Sequence, residues 1–195
     1  MICCFKGKFR VTSPRGYRTD PITGAKNTYH KGIDLVGVDD TTIYSISDGT
    51  VRTAYQANGA GYYVVVTMSD GRRIFYMHMK KDSFKVKTGD KVVKGQALGF
   101  MGSTGASTGN HTHLEIRPKG TTSESLDIAE FTGIPNKVGS YTYKPTMTAE
   151  EKHTLAVECA CKLEDKTGLE KSTINWMWKY KYADDLFIKL WDAMK

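Results

Sequence analysis

Much that would place a chain quickly is missing from this one. No apolar run approaches the roughly 20 residues that span a bilayer, so no membrane insertion is expected. The opening "MICCFKGKFR" has neither an apolar h-region nor a small-residue cleavage site, so no secretory signal is expected either. Helix-turn-helix, RNP and zinc-finger patterns are absent, which counts against nucleic acid as a partner. Cysteine is scarce: four residues in two close pairs, Cys3–Cys4 and Cys159–Cys161. Neither pair has the spacing of a structural zinc site. On a helix Cys159 and Cys161 would point roughly 200° apart and could not grip one ion. Reduced, partly buried thiols are expected. Histidine is scarce too, with five in 195 residues.

What is present is an ordinary globular composition, 39% hydrophobic and 25% charged, long enough for one full domain and an appendage. The net charge is +7, with 28 Lys and Arg spread along the chain without a polybasic block. That balance suits nucleic acid, an anionic membrane or an anionic polymer such as a bacterial cell wall.

Residues 1–120 are punctuated by Gly and turn pairs, with β-branched and aromatic runs between, such as "TTIYSISDGTVRTAYQ" and "GYYVVVTMSDGRRIFYMHM". Ser47–Gly49 and Ser69–Gly71 both read "SDG", which predicts two hairpin bends. Short strands at this spacing without intervening helices predict a mainly β fold, a compact antiparallel sheet or barrel. "VKTGDKVVKGQALG", Val86 to Gly99, resembles a hairpin of biotinyl or lipoyl carriers and of sugar-phosphotransferase hybrid-motif proteins. Residues 121–147 carry Gly133, Pro135, Gly139 and Pro145 and read as an irregular connector. From Thr148 the texture becomes helical. Thr148 and Glu151 form the capping-box pattern, and Gly168 closes the run. Leu186, Leu190 and Met194 recur at helical spacing, with Phe187 and Trp191 beside them. The expected organisation is a β domain over 1–140, its motif core at 15–118, and a small helical extension over 141–195.

The histidines fall in telling places. His30 stands four residues before Asp34 in "YHKGIDL", and His78 sits in "FYMHM" at the end of a β-run. His111 and His113 share "NHTHLEI". In a strand, residues i and i+2 face the same side, so His111, His113 and Glu115 project together, opposite Thr112 and Leu114. Three arrangements fit: a zinc site with three protein ligands and an open position, a solvent-facing strand with scattered histidines, or a phosphohistidine or other acid–base site.

"GYRTDPITGAKNTYHKGIDL", "YMHM" and "GDKVVKGQALGFMGSTGASTGNHTHLEI" resemble the successive blocks of the M23 zinc metallopeptidases, the lysostaphin- and LytM-like peptidoglycan endopeptidases. The resemblance covers about residues 15–118, with a weaker echo at "SLDIAEFTGIPN". It rests on H-x₃-D followed by H-x-H, on the intermediate histidine after an aromatic run, and on the "GSTGASTG" loop. It implies a compact antiparallel β fold and one Zn²⁺ per chain, held by His30, Asp34 and His113. His78 and His111 would stay free beside the metal, His111 as general base and His78 as oxyanion stabiliser, with the reverse left open. The implied substrate is bacterial peptidoglycan, cut in its stem peptides or cross-bridges. Asn110 and Leu114 depart from the Pro and the aromatic residue that many members carry there, which touches the rim and leaves zinc chemistry alone. The loop Gly102–Gly109 lacks the Lys-Ser/Thr ending of a phosphate loop and is expected to form a mobile wall of the substrate groove. Tyr29, Ser103, Thr104, Ser107 and Asn110 are the candidate substrate contacts. Tyr17, Tyr29 and Tyr76 could donate to an oxyanion, although core packing is the plainer expectation for each.

A wall peptidase without a leader and with a helical extension resembles phage or prophage lytic proteins, endolysins among them. Such proteins act from the virion or after holin-type release, so a phage tail is one expected partner for the amphipathic, aromatic "INWMWKYKYADDLFIKLW", basic at its centre. A small helical cap packing on itself is the plainer expectation for that stretch. Alternatives are a host-encoded wall-remodelling hydrolase, a non-catalytic wall-binding module, and a hybrid-motif phosphoryl carrier. The last has no use for Asp34 or for a third and fourth histidine.

Overall fold

A computed structural model describes residues 1–121, 123–144, 149–178 and 183–194. The chain divides into two compact units, residues 1–144 and 145–195.

In chain order the first unit contains β1 (Gly7–Ser13), β2 (Gly16–Arg18), β3 (Thr28–His30), β4 (Ile33–Gly37), β5 (Thr42–Tyr44), β6 (Gly49–Gln56), β7 (Gly61–Thr67), β8 (Arg73–Met79), β9 (Lys91–Val92), β10 (Ala97–Phe100), β11 (Thr112–Arg117), α1 (Ile128–Thr132) and β12 (Gly139–Tyr143). Eight strands make one sheet in the order β12-β1-β4-β11-β8-β7-β6-β9, and every neighbouring pair is antiparallel. Two ribbons, β5 with β10 and β2 with β3, complete the β structure of this unit. The mainly β, antiparallel fold expected from the spacing of the strand runs is the fold observed.

Period-two alternation explains which face is buried. Phe9 and Val11 of β1, Ile33 and Leu35 of β4, Val64 and Val66 of β7, Ile74 and Tyr76 of β8, and Leu114 and Ile116 of β11 pack into one core. Cys3, Cys4 and Phe5, all buried, join that core. Asp34, His113 and Glu115 point to the opposite face, where Val65, Phe75 and Met77 form a smaller apolar cluster with Ala60.

One irregularity matters for function. Strict alternation after Tyr76 would send His78 into the core. Instead His78 has φ +59°, and the register slips between Tyr62 and Val64, so that Tyr62 pairs with Met79 and Val64 with Tyr76. A left-handed residue at a bulge turns its side chain across the sheet. Met79 recovers the core position, and His78 joins Met77 on the functional face.

The structure corrects three local expectations. Ser69–Gly71 bends a hairpin between β7 and β8, but Ser47–Gly49 joins the β5–β10 ribbon to β6 in the large sheet. Asp48 is spent on the Lys94 amide at 2.7 Å, not on a hairpin bend. The carrier-like stretch Val86–Gly99 does not pair with itself either, because β9 joins β6 and β10 joins β5. The supposed connector is also partly ordered. Asp127 caps α1 by accepting from the Ala129 and Glu130 amides, Gly133 ends it at φ +70°, and Ile128 and Ile134 are buried in the core. β12 then extends the sheet edge, its five residues pairing along β1 from Gly7 to Val11.

The second unit holds α2 (Ala149–Thr167), α3 (Lys171–Met177) and α4 (Ala183–Ala193). Ala156, Cys159, Ala160, Leu163, Ile174, Met177, Ala183 and Phe187 form its core, with Leu186, Leu190, Trp191 and Met194 packed against it. Cys159 is buried and Cys161 exposed, as opposite-pointing helix positions require. The Thr148 cap lies outside the described residues, while Gly168 follows α2 at φ +66°. No described helix is long and apolar enough to cross a membrane.

Candidate metal centre and active-site cleft

Three strands bring three donor atoms together. His30 ends β3, a tight passage through Lys31 and Gly32 leads into β4, and Asp34 is the second residue of that strand. His113 of β11 lies directly across from Asp34 in the ladder. His30 Nε2 is 3.1 Å from Asp34 Oδ1 and 2.9 Å from His113 Nδ1, and His113 Nδ1 is 3.0 Å from the same carboxylate oxygen. Gly32 makes this approach possible. A Cβ there would lie 2.4 Å from the Leu114 carbonyl oxygen and 2.6 Å from His113 Nε2.

Outer partners decide which ring nitrogens face inward. His30 Nδ1 lies 2.8 Å from the Pro14 carbonyl, an acceptor only, so Nδ1 donates and Nε2 presents its lone pair to the cluster. His113 Nε2 lies 3.4 Å from the Glu115 carboxylate, which leaves Nδ1 facing Asp34. Two imidazole lone pairs and a carboxylate oxygen about 3 Å apart repel one another unless a cation sits among them. The side chains express that demand. Burial works against charging His113, yet hydrogen bonds to Asp34 and Glu115 overcome it and push the imidazole up to about 9. Burial would raise the Asp34 carboxyl, but hydrogen bonds from His113 and His30 outweigh it and hold the group far below the usual carboxylate range. A tetrahedral zinc with bonds of about 2.0–2.1 Å has ligand–ligand edges of roughly 3.3 Å, close to this triangle. Two histidines, one carboxylate and an open side make the donor set of a catalytic rather than a closed structural zinc site.

The open side faces a cleft of about 270 Å³ lined by Arg18, Asp20, Pro21, Ile22, the four histidines, Met77 and Ser107, among others. His111, placed just ahead of β11 by its bridge to Gly102, brings Nε2 to 3.8 Å from Asp34 Oδ1. The His78 and His111 rings stand 4.7 Å apart by centroid. Each gives Nδ1–H to a backbone carbonyl at 2.8 Å, His78 to Thr104 and His111 to Gly109. In the tautomer these bonds select, each ring therefore holds an Nε2 lone pair toward the cleft. Burial lowers the His78 imidazole to about 4, against the Thr104 hydrogen bond, which acts in the other direction.

The loop Gly102–Gly109 is held, not a free wall. The Thr104 hydroxyl donates to the Met79 carbonyl and accepts from the Tyr62 amide, and Ala106 N donates to Gly59 O. Thr104 is thus a brace under His78, its O–H spent on Met79, and it stands outside the cleft lining. Of the expected contacts only Ser107 lines the cleft, while Tyr29, Ser103 and Asn110 stand outside its lining. Core packing holds for Tyr76, which is fully buried and accepts from the Ile46 amide. It fails for Tyr17 and Tyr29, 77% and 37% exposed, which meet edge to face at 4.9 Å. That pair sits on the two-stranded β2–β3 ribbon, outside the large sheet, and the Arg15 guanidinium lies 5.1 Å from the Tyr29 ring centroid. Arg18 is a cleft residue the motif reading passed over. It donates to the Ser13 hydroxyl and lies 3.4 Å from Asp34 Oδ2. Its place in "GYRTDP", the block leading to His30, was the available signal.

The chain belongs to peptidase family M23, whose profile matches residues 28–125, about half of the sequence. It is 39% identical over 121 residues to an uncharacterized metalloprotease of Haemophilus influenzae, covering 61% of this chain and 25% of that protein. It is 33% identical over 135 residues to the peptidoglycan DD-endopeptidase ShyA of Vibrio cholerae, covering 67% of this chain and 30% of that one. The matched stretch is therefore less than a third of the length of either relative. Among solved structures, the catalytic domain of the antimicrobial peptidase lysostaphin from Staphylococcus simulans matches with a TM-score of 0.57 at 29% identity, over 64% of this chain and 92% of that domain.

Proposed function

We propose that this chain is a zinc-dependent endopeptidase that hydrolyses peptide bonds in the stem peptides or cross-bridges of bacterial peptidoglycan. The carrying observation is the convergence of His30, Asp34 and His113 beside two imidazoles whose Nε2 atoms are left unspent. His30, Asp34 and His113 hold the ion. When bound, it supplies the Lewis acidity that activates water and polarises the scissile carbonyl.

The remaining residues manage protons and position. His111, its Nε2 close to Asp34, takes the proton released as water attacks and returns it to the leaving amine. His78 can donate to an oxyanion only with its ring protonated, a form that burial disfavours by lowering it to about 4, so at neutral pH its Nε2 acts as a second acceptor facing the reacting groups. Arg18, a permanent cation on the same cleft, supplies the oxyanion's stabilising charge at neutral pH. The similarity to a peptidoglycan endopeptidase supports the substrate class.

Digestion of purified walls from several species, with mass spectrometry of the fragments, tests the reading. Peptide-bond cleavage by zinc-loaded protein that vanishes in His113→Ala is expected. Intact walls of every chemotype would overturn it. The further setting, a phage lytic or tail-associated protein whose helical unit docks on a partner assembly, rests on the aromatic stretch 174–191, basic at its centre, whose apolar residues Ile174, Met177 and Phe187 are used in the unit's own core. Truncation after Tyr143 that leaves both wall cleavage and phage assembly intact would contradict the docking role.

A further inference from the structure

We propose that Glu115, clamped by Arg117, is a positioning residue of the metal centre: it fixes the tautomer and angle of His113 from behind and thereby sets how tightly the ion is held. The proposal builds on the zinc reading above, and its test separates the two.

Alternation along β11 puts His113, Glu115 and Arg117 on one face while Thr112, Leu114 and Ile116 are buried on the other. Glu115 is 2% exposed and absent from the lining of the catalytic cleft. With Arg117, Phe75 and Met77 it borders a neighbouring cavity of about 220 Å³, so it is not a solvated surface carboxylate and meets the metal centre only through His113. A carboxylate so buried is costly unless its lone pairs are used. Arg117 uses two of them in a fork, Nε to Oε1 at 2.8 Å and Nη2 to Oε2 at 3.0 Å. Its guanidinium lies over the Phe75 ring at 4.1 Å from the centroid, which orients the fork. Oε2 then stands 3.4 Å from His113 Nε2, the nitrogen away from the cluster.

The consequence follows from the ring's two ends. His113 turns Nδ1 to Asp34 and His30, so Nε2 must hold the proton, and only a fixed acceptor keeps it there. Gly32 closes one side of the ring and Glu115 takes the far end, leaving one orientation. A metal-ligating imidazole whose other N–H meets a carboxylate is more basic toward the metal, and loss of such a partner typically weakens metal affinity about 10–100-fold. His30 has only a neutral carbonyl, Pro14, in the same role. The charged backing is specific to His113. The plain alternative is a strand-face ion pair that happens to adjoin a ligand, and this would stabilise the sheet without touching the metal.

Zinc affinity of the full chain is measured by chelator competition for wild type, Glu115→Gln and Arg117→Met. Alongside it run the urea midpoint of each metal-free protein and long-range ¹H–¹⁵N spectra of the His113 ring. Glu115→Gln is expected to bind zinc about 10–100-fold more weakly and to show mixed tautomers. Arg117→Met is expected to shift in the same direction by less. Unchanged zinc affinity in Glu115→Gln while wild type binds would overturn the proposal. So would a loss that merely tracks unfolding of the metal-free protein. If Glu115→Gln fails to fold, the wild-type spectrum decides, since a His113 protonated on Nδ1 in the zinc-loaded protein contradicts the assignment. A wild type that binds no zinc would instead sink the zinc reading itself.

Discussion

Gly32→Ala tests whether the metal triangle depends on backbone closeness. The added methyl would stand 2.4 Å from Leu114 O, 2.6 Å from His113 Nε2 and 2.9 Å from His113 Cε1, where 3.4 Å begins ordinary contact. Relief needs a displacement of about 1 Å, the difference between the 3.4 Å and 2.4 Å values. Neither neighbour can supply it cheaply. The Leu114 carbonyl belongs to the β4–β11 ladder, and His113 is held by Asp34 and Glu115. Overpacking of this kind costs about 1–3 kcal/mol. A ligand ring moved by more than about 0.5 Å leaves its productive geometry, so zinc affinity should fall on the order of 10–100-fold. Chelator competition and urea unfolding read the two effects. Gly109→Ala is the matched control, because a Cβ there meets nothing within 4 Å. If Gly32→Ala bound zinc as tightly as wild type, with an unchanged urea midpoint, the claim that this glycine admits the ligand ring would be wrong.

His78→Ala and His111→Ala should each lower kcat for wall-peptide cleavage by about 10²–10⁴-fold while zinc stays bound, and metal loss in either variant would contradict their exclusion from the ligand set. Metal-free protein should weaken as pH rises: the protonated His113 stabilises the fold fully below about 6.5, and that contribution, on the order of 3 kcal/mol, is lost as pH climbs to about 9. Saturating zinc should abolish this alkaline loss in urea titrations, and a parallel decline in both forms would count against it. Of the four thiols only Cys161 should react promptly with an alkylating reagent in native protein, since Cys3, Cys4 and Cys159 are buried; burial also pushes the Cys4 thiol well up.

Sequence reading reached the fold through alternation, whereas the ligand set His30, Asp34 and His113 came from the resemblance to M23 peptidases, since spacing alone let both His111 and His113 bind one ion. Alternation is a property of side chains, so "NHTHLEI" could place His113 and Glu115 on one face, and the structure pairs His113 directly with Asp34. The same rule misleads at His78, where a left-handed residue and a bulge reverse the face, and nothing in "FYMHM" announces the register slip. Backbone partners were equally hidden. The carbonyls of Pro14, Thr104 and Gly109 that select ring tautomers carry no signature in residue type. Ser47–Gly49 shows the limit of local turn chemistry, because Asp-Gly marks a bend without saying which strands it joins. The substrate contacts were the weakest reading. Thr104 looked available in a glycine-rich loop, yet its hydroxyl donates to Met79, accepts from Tyr62 and stands outside the cleft lining.

The most direct measurement is zinc content and affinity across the histidine and aspartate variants of the native chain, by elemental analysis and competitive titration. One ion per chain is expected in wild type, kept in His78→Ala and His111→Ala and lost in His30→Ala, Asp34→Asn and His113→Ala. Wild type without stoichiometric zinc, or zinc retained when His30, Asp34 and His113 are each removed, would contradict the account.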